Sequence, residues 1–203
     1  MSTPVTQQVT TVLDSEDVGR AITRISHEIV ERTHGAREVV ILGIPTRGDV
    51  IAQRLAEHIS AITGRSQAVG QIDTTLYRDD LARHPMRTPH PSRIPSGGID
   101  GKIVILVDDV LYTGRTVKAA LDAVFDIGRP ASLHLAILVD RGHRELPIRP
   151  DYVGKNLPTS RTETVVISVE EIDGEDAVRI HKLNEDRQAS SPVASNSGEV
   201  RGR

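Results

Sequence analysis

Three short apolar runs, each followed by turn residues and then by apolar residues at helical spacing, dominate the chain. Residues 38–44, 102–107 and 132–139 have the length and composition of buried strands, and helical patterns follow at 49–63 and 116–127. Strands that alternate with helices along the chain are typical of α/β proteins with a mostly parallel, twisted sheet flanked by helices. We therefore predict that architecture.

The remaining segments predict elements at both sides of this unit. Asp14 or Ser15 can cap a helix whose apolar residues recur at spacings of four, three and four from Val18 to Ile29. Residues 68–77 indicate another strand. Two further strands, 164–170 and 177–182, form a hairpin around the turn dipeptide Asp173-Gly174.

Domain organisation follows from these patterns. We predict a flexible N-terminus at 1–13, one domain at 14–183 and a disordered tail at 184–203, where Ser, Asn, Gly and charged residues replace the apolar periodicity. Residues 78–101 contain several prolines and no apolar period. A segment of this length inside a domain is either disordered or a functional lid.

Composition excludes several classes of protein. The absence of cysteine rules out disulfides and thiolate zinc sites and is compatible with a cytoplasmic location. No apolar run is long enough for a membrane span, and the N-terminus lacks a secretory pattern. A net charge of −3 argues against general affinity for nucleic acid, and one Phe, three Tyr and no Trp are too few for a base-stacking surface.

The stretch VILVDDVLYTGRT, residues 104–116, carries the clearest chemical signal. Asp108 and Asp109 follow an apolar strand and can accept hydrogen bonds from ribose hydroxyls, as carboxylates do in dinucleotide-binding folds. The turn 113–116 precedes a helix, whose unpaired N–H groups bind phosphate. The alternative is a buried strand whose aspartates only cap the next helix.

Two other loops lie after predicted strands. Thr46, Arg47 and Gly48 form a second candidate anion site, because Arg can bind a pyrophosphate through two donors. The charged loop 140–147 follows the strand 132–139, although a surface turn with internal salt bridges would have the same composition. Carboxyl ends of parallel strands share one edge, so we expect all three loops to border a single crevice.

The central motif resembles the phosphoribosyl-pyrophosphate (PRPP) signature of type I phosphoribosyltransferases, and LYTGRT is the form found in the PyrR family. The blocks TLYRDDL, LVDRGHRELPIR and YVGKN also match that family. The resemblance implies a type I phosphoribosyltransferase fold with a small hood and a long flexible lid. It further implies the conversion of uracil and PRPP to UMP and pyrophosphate, and UMP- or UTP-dependent binding of pyr mRNA leaders that regulates the pyrimidine operon.

The resemblance also implies roles for individual residues. It assigns catalysis to Asp108, Asp109 and Arg47, and it leaves Mg²⁺ mainly to PRPP with the two aspartates as candidate ligands. The positions that match PRPP and UMP contacts are Thr46, Arg47, Tyr77, Arg78, Asp108, Asp109, Val110, Leu111, Tyr112, Thr113, Gly114, Arg115, Thr116 and Arg141. Those that match RNA contacts are Thr23, Arg24, His27, Arg32, Thr46, His143 and Arg149.

Several alternatives stay open at this point. On composition alone, the charged side of the first helix is a solvated surface. The chain could be an RNA-binding sensor without turnover, a salvage phosphoribosyltransferase without an RNA role, or a flavodoxin-like phosphate-binding protein. Family members are often dimers or tetramers, so a homodimer or higher oligomer is expected.

Overall fold

A five-stranded parallel sheet forms the centre of the molecule. The computed structural model describes residues 7–77 and 91–183. Within these ranges the strand order is β3-β2-β4-β5-β6, and the strands are β2 (Val39–Gly43), β3 (Ala68–Gln71), β4 (Ile103–Leu111), β5 (Ser132–Asp140) and β6 (Tyr152–Asn156). The predicted α/β architecture is therefore confirmed.

Helices cover both faces of this sheet. On one face lie α1 (Ser15–Arg32) and α2 (Arg47–Thr63), and on the other lies α3 (Arg115–Ile127). The alternation along β4 explains the two layers, because Ile105 and Val107 pack with α1 and α2 while Val104 and Leu106 pack with α3.

The helix boundaries follow from their caps. Asp14 accepts a hydrogen bond from the Asp17 backbone, and Asp17 completes the reciprocal capping box at the start of α1. Gly64 ends α2 in the left-handed conformation, which glycine adopts readily.

A second, antiparallel sheet stands beside the central one. It has the order β1-β8-β7 and consists of β1 (Gln7–Leu13), β7 (Glu163–Ser168) and β8 (Ala177–Leu183). The helical turn α4 (Glu170–Asp173) connects β7 to β8, and Gly174 ends it at φ +78°. We call these three strands and α4 the hood. The predicted hairpin is confirmed, with a helical turn in its connection.

The prediction of a flexible N-terminus at 1–13 is wrong for residues 7–13. They form β1, which pairs with β8 from Gln7↔Leu183 to Leu13↔Val178. The strand is mostly exposed, with Val9 at 49%, so backbone pairing rather than burial of side chains holds it. Residues 1–6 and the predicted tail at 184–203 lie outside the described ranges.

Three further boundaries differ from the sequence predictions. The strand expected at 68–77 ends at Gln71, because Asp73 accepts hydrogen bonds from Thr75 and bends the chain into a 3₁₀ turn at Thr75–Tyr77. β4 continues beyond 107 to Leu111, and β6 was not predicted.

Within the described ranges, no helix is both long and apolar enough to cross a membrane.

Candidate active site

The loops after β2, β4 and β5 meet at the carboxyl edge of the central sheet. The backbone N–H of Ile44 donates to the carbonyl of Val107 at 2.8 Å, and that of Arg141 donates to the carbonyl of Leu111 at 3.2 Å. The three loops predicted to border one crevice are therefore direct neighbours.

Asp108 and Asp109 lie inside β4 rather than after its end. Oδ1 of Asp108 accepts the Asp109 N–H at 2.9 Å, and Oδ1 of Asp109 accepts the Val110 N–H at 2.8 Å. Asp108 is 6% exposed, while Asp109 is half-buried. These backbone bonds fix the direction of both carboxylates. Neither caps α3, because Gly114 is the N-cap and no side chain bonds there; the capping alternative is thereby excluded.

The loop before α3 is stabilised by hydrogen bonds with Glu145 and Leu146 of the loop after β5. The Thr113 carbonyl accepts the N–H groups of Glu145, at 3.0 Å, and Leu146, at 3.2 Å. Arg115 also donates to the Glu145 carboxylate at 2.9 Å. Gly114, at φ +92°, makes the turn into the helix. The first N–H groups of α3 thus border a preformed loop that can take a phosphate.

The start of α2 lies directly against Asp108. A Cβ atom on Gly48 would come within 2.6 Å of the Val107 carbonyl oxygen and 3.0 Å of the Asp108 Cα, so only glycine fits. Thr46, at the N-cap of α2, is exposed and follows a cis peptide bond after Pro45. The start of α2 and the aspartate pair therefore form one continuous side of the crevice at the carboxyl edge of the sheet.

Arg47 is bound by the hood. Its Nε donates to Asp173 Oδ2 at 2.9 Å and its Nη2 to Oδ1 at 2.7 Å. The hydrogen bonds with Asp173, and to a lesser extent the charge of Asp109, raise the pKa of Arg47. The same pair holds the pKa of Asp173 below its ordinary value. The sequence around Asp173 indicates only a turn, and no local pattern links positions as distant as Arg47 and Asp173.

Tyr112, Arg141 and His143 form a second cluster. The Arg141 guanidinium lies 4.1 Å from the Tyr112 ring centroid, and the His143 ring meets Tyr112 edge-on at 6.0 Å. Arg141 is 7% exposed and donates to the Thr159 hydroxyl at 3.2 Å and to the Glu163 carbonyl at 2.8 Å. Arg141 thus connects Tyr112, which adjoins the loop 113–116, to the segment that enters the hood.

The positions beside Tyr112 have different surroundings. Leu111 is buried at 1% and belongs to the core packed on α3, whereas Val110 is half-buried and Thr116 is half-buried at the start of that helix. Tyr112 is the most exposed of these, at 37%. Thr159 and Glu163 have no signal in the sequence that points to this site, since only the fold brings them to Arg141.

Tyr77 points away from this site. Its hydroxyl donates to Asp126 at 2.8 Å, and this hydrogen bond raises the pKa of Tyr77. Asp126 lies near the end of α3, about 16 Å along the axis from its first residue. The Tyr77 hydroxyl therefore does not meet the aspartate pair. Arg78 and most of the predicted lid lie outside the described ranges.

The predicted RNA contacts fall into two groups. Thr23, Arg24, His27 and Arg32 lie on α1 next to β6, where Arg24 donates to the Val153 carbonyl at 3.3 Å and Arg32 pairs with Asp151 at 3.1 Å. Arg149 is exposed just before β6. Thr46 and His143 instead lie at the carboxyl edge of the sheet, beside the predicted substrate positions.

Comparison with known proteins identifies the family. Residues 8–172 match the family model described as phosphoribosyl transferase domain. The bifunctional protein PyrR of Streptomyces coelicolor is 59% identical over 85% of this chain and 89% of its own length. That of Enterococcus faecalis is 56% identical over 86% of this chain and 97% of its own length.

The chain belongs to the PyrR family of phosphoribosyltransferases. Solved structures agree on the fold: a hypoxanthine phosphoribosyltransferase from Staphylococcus aureus superposes with a TM-score of 0.62 at 20% identity, covering 87% of this chain and 93% of its own. A Trypanosoma cruzi hypoxanthine phosphoribosyltransferase gives 0.64 at 19% identity, covering 83% and 89%. The type I fold predicted for a PyrR member is confirmed.

The aspartate pair suits a substrate-borne magnesium ion. Among residues 7–77 and 91–183, no group of three His, Asp or Glu side chains could hold a metal. Mg²⁺ commonly keeps several waters and uses one or two carboxylates together with substrate phosphates. Asp108 and Asp109 fit that arrangement and do not fit a cage made by protein alone.

One recess lies at the opposite edge of the sheet. Its volume is about 150 Å³, and its charged lining consists of Arg37, Glu38, Arg65 and Lys102. Because it lies at the amino ends of β2 and β3, it is separate from the crevice described above.

Proposed function

We propose that this PyrR-family protein converts uracil and PRPP to UMP and pyrophosphate and regulates pyrimidine-operon expression by binding the pyr mRNA leader. The observation that carries the proposal is the meeting of the aspartate pair, the phosphate loop and the Arg47 loop at one edge of the sheet. In a PyrR member these three parts correspond to the ribose, the 5′-phosphate and the pyrophosphate of one substrate.

Each part then has a task in the reaction. The bond from ribose C1′ to pyrophosphate breaks, a bond from C1′ to uracil N1 forms, and the N1 proton leaves to water. Asp108 and Asp109 orient the ribose hydroxyls, and their charge stabilises the positive charge that develops on the sugar. The N–H groups at 113–116 hold the 5′-phosphate. Bound Mg²⁺ would neutralise charge on the pyrophosphate. We assign no general base, because positioning and electrostatics account for catalysis.

The other substrate positions have supporting roles. Arg47 balances charge on the leaving pyrophosphate, next to exposed Thr46. We assign Tyr112 to the substrate by family resemblance, and the Arg141 guanidinium lies against its ring. We assign Arg78 to the substrate by family resemblance alone. Tyr77 anchors the segment that leads to the lid through its bond to Asp126.

Enzymatic assay of UMP formation tests the catalytic part. The wild type should form UMP from uracil and PRPP, and the double variant Asp108→Asn/Asp109→Asn should lose at least a hundredfold in kcat/KM. Asp122→Asn is the matched control, since this carboxylate pairs with Lys118 on the surface of α3. If the wild type formed no UMP, the catalytic proposal would fail, and the protein would be an RNA-binding nucleotide sensor without enzymatic activity.

A gel-shift assay with the pyr leader transcript tests the regulatory part. His27→Ala should weaken RNA binding, because His27 is exposed on the α1 face beside β6. Arg20→Ala is the control on the same helix, since Arg20 pairs with Glu16 and Asp17. Equal losses in both variants would argue for a general electrostatic effect, and an unchanged affinity with UMP would remove the regulatory proposal.

We expect the active species to be a homodimer or higher oligomer, in which the α1 faces of two protomers form one basic surface. Size-exclusion chromatography with light scattering measures this directly. A monomer that still binds the leader transcript would contradict it.

A further inference from the structure

The hood holds Arg47 from a position far away in the chain. Arg47 and Asp173 are separated by 126 residues, yet two hydrogen bonds of 2.9 and 2.7 Å join their side chains in parallel. Such two-point pairing fixes the plane of the guanidinium as well as its position. Asp173 therefore determines where Arg47 points.

Asp173 is itself held in place. Its Oδ2 accepts the Val169 N–H at 2.8 Å, and its own N–H donates to the Val169 carbonyl at 2.7 Å. On either side, Arg54 of α2 binds Glu171 and Asp176 with four hydrogen bonds of 2.6 to 2.9 Å. The Asp173 carboxylate of α4 is thus held in a fixed position against α2 and is not a mobile surface group.

The pairing leaves part of Arg47 available. A guanidinium has five N–H donors, and Asp173 takes one on Nε and one on Nη2. The other three point away from Asp173. The Arg47 side chain is 33% exposed and lies close enough to Asp109 to feel its charge. An anion bound between Arg47 and the aspartate pair can therefore use the remaining donors without breaking the pair.

We propose that Asp173 is a positioning residue that aims the free edge of Arg47 at the leaving pyrophosphate. The inference rests on the proposed function, because it assigns pyrophosphate to Arg47. It adds a residue of the hood to the machinery of the reaction and makes the orientation of the pyrophosphate loop depend on docking of the hood.

A double-mutant cycle tests this role. Asp173→Ala should raise the KM for PRPP and the inhibition constant of pyrophosphate by roughly tenfold to a hundredfold, the loss expected for a hydrogen-bonded charged pair. The KM for uracil should change less than threefold. Asp173→Asn keeps one acceptor oxygen, so its KM for PRPP and its inhibition constant for pyrophosphate should lie between those of the wild type and Asp173→Ala. In an Arg47→Ala background, Asp173→Ala should cause no further loss.

Asp176→Ala separates positioning from attachment of the hood. Asp176 binds Arg54 and does not touch Arg47. If Asp173 only anchored the hood, both variants would shift the uracil and PRPP constants alike, and the inference would fall. It would also fall if Asp173→Ala kept wild-type PRPP kinetics, or if its loss persisted without Arg47. Thermal midpoints of each variant identify any loss of folding.

Calorimetric titration with PRPP distinguishes a failure of the proposed function from a failure of the role assigned to Asp173. Wild type that neither binds PRPP nor forms UMP would overturn the proposed function together with this inference. Wild type that binds PRPP, with an unchanged dissociation constant in Asp173→Ala, would overturn the inference alone.

Discussion

Gly48 is the residue at which packing and chemistry are most closely connected. A methyl group there would overlap the Val107 carbonyl at 2.6 Å, and this backbone atom cannot move without displacing Asp108. We expect Gly48→Ala to lower the free energy of unfolding by about 1–3 kcal/mol, as overpacking does, and to raise the KM for PRPP. Urea denaturation and steady-state kinetics measure the two effects.

Gly19 is the matched control for that substitution. It lies in α1, and nothing within 4 Å would meet an added Cβ. Gly19→Ala should stabilise the protein by about 0.5–1 kcal/mol, because alanine loses less backbone entropy in a helix. If the two substitutions had the same effect, steric contact with β4 would not be the cause.

Tyr152 carries a buried hydroxyl for which the described residues supply no hydrogen-bond partner. Burial raises the pKa of Tyr152 above its ordinary value of 10.0. The raised pKa therefore leaves the stability of the folded protein unchanged below pH 10 and lowers it as pH rises through the raised pKa. Tyr152→Phe should be about 1 kcal/mol more stable at pH 7, and it should lose less stability than wild type between about pH 9 and pH 11. Denaturation curves across this range check both; a destabilised Phe variant would contradict the assignment.

Individual residues of the candidate site were easier to predict from the sequence than the contacts between them. Asp108, Asp109, Thr46 and Gly114 were identifiable because they lie between an apolar run and a helical pattern, and the structure brings them to one edge. Asp173 was not, since its pairing with Arg47 depends on how the hood docks. Contacts between residues far apart in the chain leave no periodic signal.

At the scale of elements, the hood is attached to α2 by charge. Arg54 is 17% exposed and binds Glu171 and Asp176, while Arg47 binds Asp173. Hydrogen bonds from these arginines lower the pKa values of Asp173 and Glu171; for Asp176, burial acts in the opposite direction, but bonds from Arg54 and the Glu170 N–H outweigh it. The attachment should therefore be sensitive to acid.

We expect the hood to loosen as pH falls below the ordinary values of these carboxyls, 3.8 for Asp and 4.5 for Glu. A lowered folded pKa contributes stability above the unfolded value and loses it as pH falls through the folded one. Arg54→Met should cost about 1–3 kcal/mol at pH 7 and should weaken the acid dependence. Hydrogen exchange should report faster exchange in β7 and β8 than in β4; equal exchange in both sheets would contradict a separate hood.

Elements were predictable where burial is complete. β2, β4 and β5 are continuous apolar runs, and α1 to α3 have clear apolar periods, so all were found. β1 and β6 escaped detection for different reasons: β1 is an exposed strand held by backbone bonds, and β6 is a short edge strand. The break after Gln71 depends on a side-chain bond within the turn, which composition does not reveal.

At the scale of the whole molecule, the proposed nucleotide crevice and the proposed RNA face have residues in common. Thr46 and His143 lie at the carboxyl edge, and the His143 ring meets edge-on the ring of Tyr112, which we assign to the substrate. If UMP tightens binding of the leader transcript by some factor, the transcript must tighten binding of UMP by the same factor. Calorimetric titration of UMP with and without saturating transcript measures this factor; an affinity for UMP that the transcript leaves unchanged would show that the two sites are not coupled.

The pairing of β1 with β8 has a consequence for synthesis of the chain. All five strands of the central sheet have been synthesised once β6 has been made. β1, in contrast, pairs with β8, which lies about 170 positions further along the chain, because Gln7 pairs with Leu183. A nascent chain that has already assembled its sheet thus still lacks the surface that receives Arg47 and Arg54. Competence for pyrophosphate chemistry should therefore arise only after the last strand leaves the ribosome, as a late and separate event.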